Sequence, residues 1–193
     1  MRGVPLKLGQ ALSMQEEYLI PKPISEALAR AQKSADILPQ SQLNQMLESE
    51  LGTSWRSHFK DFESKPIAAA SIGQVHRACT KEGVDVAVKV QYPGVAESID
   101  SDLNNLKVIL GYTKILPTSF FFGDLIRNMR TELKEECNYL NEAAKQMEFR
   151  HLLKGLPGFY VPKVIPHLST RHVLTSEWVD GVNFFSPPFI NIF

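Results

Sequence analysis

The sequence is short of cysteine, of net charge and of long apolar runs, and each shortage excludes a class of protein. Cys79 and Cys137 are its two cysteines, with no CxxC pair and no Cys/His cluster, which excludes a disulfide scaffold and a structural zinc site. Lysine plus arginine and aspartate plus glutamate both number 21, so the formal net charge is zero. The sequence therefore lacks the excess of positive charge with which general nucleic-acid-binding proteins contact phosphates. No apolar run approaches the roughly 20 residues of a membrane span.

The remaining composition is that of a folded chain. Of its 193 residues, 44% are hydrophobic and 22% charged, proportions that favour a packed core over disorder or a coiled coil. The first twenty residues include Gln10, Gln15, Glu16 and Glu17, which is not the pattern of a secretory signal. We therefore expect a mixed α/β protein of a reducing compartment, or part of one.

The first third of the sequence has the apolar spacing of helices. A loosely amphipathic run over residues 6–20 stops at two prolines, and a second helix is expected to begin at Ser25. Ser41 is expected to open a third helix that continues to Leu51 and is closed by Gly52.

The pattern changes to strands near residue 66. Small and β-branched residues alternate from Ile67 to Val90 around a turn at Lys81–Gly83, which predicts a β-hairpin. Helical spacing returns from Val95 to Leu116, and a long helix is expected from Asp124 to about Leu153. Strand signals follow at residues 160–161 and 172–179.

The hairpin carries the first pattern that points to chemistry. Protein kinases place a glycine-rich loop of the form G-x-G-x-x-G-x-V over nucleotide phosphates and follow it with a V-A-I-K strand lysine. Residues 68–75 fit that frame with alanine at the first two glycine positions, and Val86–Lys89 fits the second motif. Ala68 and Ala70 would crowd a triphosphate, whereas a strand lysine suits the α- and β-phosphates. The alternative is a plain hairpin with an exposed lysine.

A phosphate-binding lysine needs a carboxylate to position it, normally from the next long helix. On a wheel of about 100° per residue, Glu136 falls inside the apolar stripe of that helix, whereas Glu142 lies roughly 120° away. A buried carboxylate needs a cationic partner, so Glu136 either has one or lies at the stripe's edge or at a kink. The stripe consists of Leu125, Met129, Leu133, Cys137, Leu140, Ala144 and Met147.

Four motifs occur together and in order: Lys7-Leu-Gly-Gln10, the stretch 68–76, Val86–Lys89 and the stretch 136–142. In combination they resemble the UbiB/ABC1 family of atypical kinases, most closely its mitochondrial coenzyme Q8 branch, over residues 1–182. The resemblance implies an α+β fold, a protein-kinase-like small lobe with an antiparallel sheet and a long helix. It further implies a helical extension over residues 1–65, the small lobe over 66–182 and a divergent hydrophobic tail over 183–193.

The resemblance also implies a role for each motif. Lys7 and Gln10 belong to the family's KxGQ motif, an extension that folds over the nucleotide cleft and blocks protein substrates. Lys89 is implied as the phosphate-binding lysine and Glu142 as its partner, whereas Glu136 opens the family's ExD motif and meets the KxGQ lysine. The alanine-rich loop is implied to favour ADP over ATP. The implied nucleotide contacts are Ala68, Ala69, Ala70, Ser71, Ile72, Gly73, Val75, Lys89, Glu177, Trp178 and Val179.

The activity implied by the resemblance is that of an ATPase rather than a protein kinase, supporting coenzyme Q (ubiquinone) biosynthesis at the matrix face of the inner mitochondrial membrane. The implied cofactor is ATP or ADP with Mg²⁺, and no metal ligand is assigned in this sequence. The implied partners are an adenine nucleotide, coenzyme Q biosynthesis proteins and inner-membrane lipid, with no nucleic acid. No membrane span and no targeting segment are identified in the sequence.

Two departures from the family pattern bear on activity. Asn138 stands where the ExD motif has aspartate, which removes an oxygen that could bind a metal or pair with a charge. No DFG motif follows the hinge at residues 177–179, so the metal ligands of a large lobe are missing. Asp100 and Asn105 match D-x-x-x-x-N but are expected on a helix surface. We therefore expect a truncated chain that is inactive alone, or alternatively a nucleotide- or partner-binding module.

Overall fold

The computed structural model describes residues 37–70, 72–113 and 122–181. The two helices expected before residue 37 therefore lie outside the described residues. So do Lys7, Gln10, Ser71 and the tail 183–193.

The first described helix, α1, is Gln40–Leu51. Proline stands immediately before it at Pro39, and Gly52 ends it with φ of +89°, a value that glycine adopts without strain. The helix begins one residue earlier than the sequence predicts, so Ser41 lies inside its first turn rather than capping it. Leu43 and Leu47, four residues apart, are fully buried on one face and attach α1 to the core.

An antiparallel sheet forms the centre of the protein. Its strands are β1 (Phe59–Phe62), β2 (Ala68–Ala69), β3 (Gly73–Thr80), β4 (Asp85–Gln91) and β5 (Val173–Glu177). The order is β1-β3-β4-β5, and β2 also pairs with β3. The predicted hairpin is confirmed as β3–β4, with Gly83 at positive φ in its turn. The short strand β1 was not predicted from the sequence and lies within the range 1–65 assigned there to the extension.

The two faces of the sheet differ in exposure, as alternating side chains require. Val86, Val88 and Val90 on β4 are completely buried on one face. Ala87 and Lys89, which point the other way, are only partly covered. One face therefore packs on the core while the other remains accessible over β3 and β4.

Three further helices are α2 (Val95–Thr113), α3 (Phe122–Glu136) and α4 (Tyr139–Leu152). The prediction of one continuous helix from Asp124 to Leu153 is wrong, because the chain breaks at Cys137–Asn138. Asn138 has extended φ and ψ of −114° and 92°, and its side chain accepts a hydrogen bond from the Leu140 amide. Asparagine is a strong N-cap, so this residue ends one helix and begins the next.

The break also ends the predicted apolar stripe. Met129, Leu133 and Cys137 are buried as expected, but Leu140 is 49% and Met147 46% exposed. Tyr139 and Ala143 supply the buried face of α4 instead.

The connection from α4 to β5 contains a short 3₁₀ helix, Pro166–Leu168, and another, Trp55–His58, precedes β1. Residues 160–161, predicted as a strand, do not form one. A single bridge joins Val164 to Ser176 instead. Within the described ranges, no helix has both the length and the apolar content to cross a membrane.

Candidate active site

An ion pair joins the sheet to α4. Lys89 lies on the accessible face of β4, and its Nζ is 2.7 Å and 2.9 Å from the two carboxylate oxygens of Glu142 in the first turn of α4. The Lys89 side chain is 23% exposed and the Glu142 side chain 46%. The structure thus places together the lysine and the carboxylate that the family resemblance pairs, although their part in binding or catalysis stays a prediction.

Tyr139 lies directly beneath Lys89. The ammonium is 4.5 Å from the centre of the tyrosine ring, within the range of a cation–π interaction. The ring is completely buried, and burial is the main cause that raises the pKa of the Tyr139 hydroxyl far above its usual value. This residue therefore supports the lysine as a neutral aromatic platform, a role that the sequence analysis did not assign.

An open cavity of about 410 Å³ lies in front of the ion pair. Its wall carries more carboxylates than ammonium groups, and one ammonium, Lys145, is 3.8 Å from Glu135. The cavity therefore favours a cation, or an anion that brings cations with it. It is lined by Ala70, Ile72, Lys89, Glu132, Glu135, Glu136, Asn141, Glu142 and Lys145.

Glu136 is the last residue of α3 and is half-buried against this cavity. The two alternatives left open by the helical wheel were a buried charge with a cationic partner and a position at an edge or kink. The structure places Glu136 at the break between α3 and α4, with its side chain on the cavity wall. A contact with Lys7 remains a prediction, because Lys7 lies outside the described residues.

The alanine-rich loop lies at the rim of the cavity. Ala68 and Ala69 form β2 and pair with Val75 and Gln74, and both are exposed. The Ala70 amide donates to the Gly73 carbonyl at 2.7 Å, which closes the loop into a tight turn. Ala70 and Ile72 both line the cavity.

Gly73 is required for a reason that the sequence analysis did not give. The sequence suggested close approach of the backbone to phosphate. A Cβ at this position would instead lie 2.5 Å from the Val90 carbonyl oxygen and 2.6 Å from the Tyr139 hydroxyl, both inside the protein. The glycine therefore allows β3, β4 and α4 to pack closely behind the loop.

The predicted hinge follows β5 and has two of its backbone amides already bonded. The Glu177 amide donates to the Lys163 carbonyl and the Trp178 amide to the Asp85 carbonyl. Hydrogen bonds hold the pKa of the Glu177 carboxyl below its usual value. The larger effect comes from the Tyr160 hydroxyl and the smaller from the Lys163 amide. Val179 is exposed.

A cross-strand row connects the hinge with the ion pair. Val75, Lys89 and Leu174 are register partners on β3, β4 and β5, so they share one face of the sheet, on which Val75 and Lys89 are partly exposed and Leu174 is buried. Ala87 and Ser176 form the next row toward the hinge. The sequence analysis identified Val75 but missed Ala87 and Leu174, because their placement depends on the pairing of β4 with β5, which strand periodicity does not reveal.

The cavity residues Glu132, Glu135, Asn141 and Lys145 were also missed. A signal existed, since Glu132 lies four residues before Glu136 and Lys145 three residues after Glu142, spacings that share a helix face. The signal could not be used without knowing that the helix breaks between Glu136 and Glu142.

A family model described as the ABC1 atypical kinase-like domain matches residues 30–186. The chain is 47% identical over 188 residues to the mitochondrial atypical kinase COQ8 of Saccharomyces cerevisiae, covering 97% of this chain and 38% of the yeast protein. It is 46% identical over 182 residues to the mitochondrial atypical kinase COQ8B of Danio rerio, covering 94% and 29%.

A solved structure, described as the complex of Rv3197 with erythromycin from Mycobacterium tuberculosis, is also similar. It is 37% identical with a TM-score of 0.62, covering 94% of this chain and 46% of that chain. The chain thus spans less than half the length of each of these three relatives.

Proposed function

Because the chain belongs to the ABC1 atypical kinase-like family, we propose that it supplies the small-lobe half of an adenine-nucleotide site in an atypical kinase of the UbiB/coenzyme Q8 type. The family and the kinase-like small-lobe fold predicted from the sequence are confirmed by the matches and by the antiparallel sheet. The observation that carries the proposal is the Lys89–Glu142 ion pair at the rim of an open cavity.

The phosphates would lie at the Lys89 end of the site. A lysine held by a carboxylate and an aromatic ring keeps its ammonium in one place, so less conformational entropy is lost on binding an anion. Ala70 stands at the turn where a glycine-rich loop would approach the phosphates, and its methyl group narrows the room left for them in the cavity. We propose that this narrowing favours ADP over ATP.

The adenine ring would lie along the apolar row that leads to the hinge. Val75 and Ala87 are partly exposed on this face of the sheet and lie in rows beside the buried Leu174, which gives an apolar surface suited to a flat aromatic ring. With the Glu177 and Trp178 amides already bonded, the Val179 amide is the hinge donor left to adenine within the described part of the chain.

Magnesium is not assigned to side chains of this part of the chain. The described residues contain no group of three or more histidine, cysteine or acidic side chains arranged to hold a metal ion. A divalent cation bound with the nucleotide would neutralise phosphate charge. The chain's own contribution is Lys89, which supplies one positive charge on a cavity wall rich in carboxylates.

For the whole protein we propose a role in coenzyme Q biosynthesis at the matrix face of the inner mitochondrial membrane, with biosynthesis proteins and inner-membrane lipid as partners. Two of the relatives named above, those from Saccharomyces cerevisiae and Danio rerio, are mitochondrial atypical kinases, which supports this assignment. Because no DFG motif occurs in the sequence, we propose that the chain alone binds nucleotide without turnover.

A second candidate function is that of a partner-binding module without catalysis. The end of α4 and the loop after it expose several large apolar side chains, among them Phe149, Leu152 and Phe159. Exposed apolar clusters of this kind favour association. Size-exclusion light scattering tests this candidate, which a clean monomer at high concentration would contradict.

Titration with ADP and ATP in the presence of Mg²⁺ tests the proposed function. We expect binding by calorimetry and a loss of tenfold or more in affinity for Lys89→Ala, about the 1.4 kcal/mol of a charge-assisted contact. Lys60→Ala, an exposed lysine on β1, is the matched control and should bind as the unmodified chain does. Nucleotide affinity that is unaffected by Lys89→Ala would overturn the proposal.

A further inference from the structure

Three hydrogen bonds form a continuous relay on the buried face of the sheet, away from the cavity. The Leu38 amide donates to Gln74 Oε1 at 2.9 Å, Gln74 Nε2 lies 2.9 Å from His76 Nε2, and His76 Nδ1 lies 2.8 Å from the Glu63 carbonyl oxygen. Gln74 and His76 are 1% and 0% exposed. The sequence analysis assigned neither residue a function.

The direction of the relay is fixed by its two ends. A backbone amide can only donate and a carbonyl can only accept. Gln74 therefore presents its oxygen to Leu38 and its NH₂ group to His76, so His76 Nε2 accepts and Nδ1 carries the proton to Glu63. The imidazole must be neutral for all three bonds to exist.

The relay joins three separate parts of the chain. Leu38 stands ahead of α1, Glu63 follows β1, and Gln74 is the neighbour of Gly73, whose carbonyl accepts the Ala70 amide. The segment from Glu63 to Gln74 contains the alanine-rich loop. The bond from His76 to the Glu63 carbonyl therefore joins the two ends of that loop, beside the backbone bond from the Glu63 amide to the Arg77 carbonyl. Leu38 is bonded to Gln74 and is linked to His76 through that side chain.

We propose that Gln74 and His76 are positioning residues that couple Leu38, which stands ahead of α1, to the alanine-rich loop, so that the two are released together. They act on the nucleotide site through the loop and do not touch the cavity. Only the effect on nucleotide binding rests on the proposed function. The coupling between Leu38 and the loop does not depend on it.

A proton on His76 would break the coupling. Protonated Nε2 would face the Gln74 NH₂ group, and turning the amide around would set that NH₂ group against the Leu38 N–H. Burial is the main cause that lowers the pKa of His76, while the carbonyl and the carboxylate of Glu63 act in the opposite direction. Phe62 stacks on the ring and Val88 is its cross-strand partner, and neither titrates.

Hydrogen exchange at single amides, measured by NMR on the full chain, tests the coupling. The Leu38 amide reports the attachment ahead of α1, and the Ala70 amide reports the loop. A free imidazole has a pKa near 6.5, and the folded environment lowers the pKa of His76, so lowering the pH from 8 to 5.5 should reduce both protection factors by up to about tenfold. The Ile165 amide, bonded to Thr175 on β5, should keep its protection factor and so excludes global unfolding.

Two substitutions distinguish a role in the relay from a general effect on stability. In His76→Asn the amide replaces the Nδ1 donor but cannot be protonated, so both protection factors should become independent of pH. In Gln74→Glu the carboxylate accepts from the Leu38 amide and from protonated His76, so protection should rise rather than fall at pH 5.5. His167→Gln, an exposed histidine in the 3₁₀ helix, should behave as the unmodified chain does.

The proposal would be overturned if acid lowered the protection of the Leu38 amide but not that of the Ala70 amide. It would also be overturned if acid lowered the protection of neither amide. ADP with Mg²⁺ provides an independent arm, because a ligand that orders the loop must also order whatever is coupled to it. Added ADP should raise both protection factors, and a rise at Ala70 alone would contradict the coupling. If ADP does not bind but the acid response of both amides persists, the proposed function fails and the relay stands.

Discussion

The imidazole of His172 and the carboxylate of Glu50 are 2.7 Å apart although 122 residues separate them in the sequence. Glu50 lies in the last turn of α1, and His172 stands directly before β5. The Thr170 hydroxyl donates to the same carboxylate. The C-terminal end of α1 is thereby fastened to the strand that leads to the hinge.

We expect Glu50→Gln to lower the free energy of unfolding by about 1–3 kcal/mol, the cost of losing hydrogen bonds to a charged group. Burial raises the pKa of the Glu50 carboxyl, but hydrogen bonds from Thr170 and His172 outweigh it, and the net pKa lies below 4.5. The stabilisation is therefore present above about pH 4.5 and is lost as the pH falls through the lower native value. Urea unfolding of the unmodified chain and of Glu50→Gln at pH 7 and pH 4 measures the loss of stability and its pH dependence. A difference in the free energy of unfolding that is as large at pH 4 as at pH 7 would contradict the prediction.

Gly73→Ala should destabilise the fold by about 1–3 kcal/mol, because the new methyl group overlaps the Val90 carbonyl and the Tyr139 hydroxyl. Gly123→Ala is the matched control, since nothing lies within 4 Å of its Cβ position. Adding Tyr139→Phe removes one of the two clashes and should restore part of the loss. Thermal unfolding of the unmodified chain, the two single glycine variants and the double variant measures these differences. An unchanged unfolding temperature for Gly73→Ala would show that the contact is not tight.

Ala70→Gly should shift nucleotide preference toward ATP. The methyl group of Ala70 lines the cavity beside Lys89, so its removal gives room for a third phosphate. Calorimetric titration with ADP and ATP, before and after the change, measures the ratio of affinities, and Ala144→Gly at an exposed position of α4 outside the cavity lining is the control. An unchanged ratio in Ala70→Gly would show that the Ala70 methyl group does not select between the two nucleotides.

Lys7 and Glu136 should be energetically coupled in the full-length protein. Glu136 lines a cavity in which carboxylates outnumber ammonium groups, and such a wall favours an added cation. A double-mutant cycle with Lys7→Ala and Glu136→Ala should give a coupling of about 1 kcal/mol or more in stability. The same cycle with the exposed Glu148 in place of Glu136 should give none, and equal values for the two cycles would contradict a specific contact.

The hairpin was accessible from the sequence because it follows from local patterns, whereas the pairing of Lys89 with Glu142 was expected only from the family resemblance. Strand alternation and a glycine turn define β3 and β4, and the spacing of the loop and the lysine matches a known motif. The cross-strand placement of Ala87 and Leu174 was not accessible from the sequence. Leu174 joins Lys89 only through the pairing of β4 with β5, strands separated by more than 80 residues.

The helix break was also beyond the sequence pattern. Apolar residues continue at helical spacing through Cys137 and Leu140, so periodicity predicts one helix. Asn138 overrides it, because an N-cap bond to the Leu140 amide competes with the continuing helix. The capping preference of asparagine was a usable signal, but its place inside an apolar stripe concealed it.

The break between α3 and α4 determines which carboxylates can act together. On a continuous helix Glu136 and Glu142 would project about 120° apart. Since the helix is interrupted between them, the last residue of α3 and the first turn of α4 open onto one cavity. A change that straightened this junction would therefore leave a protein in which Lys89 and Glu136 no longer line the same cavity.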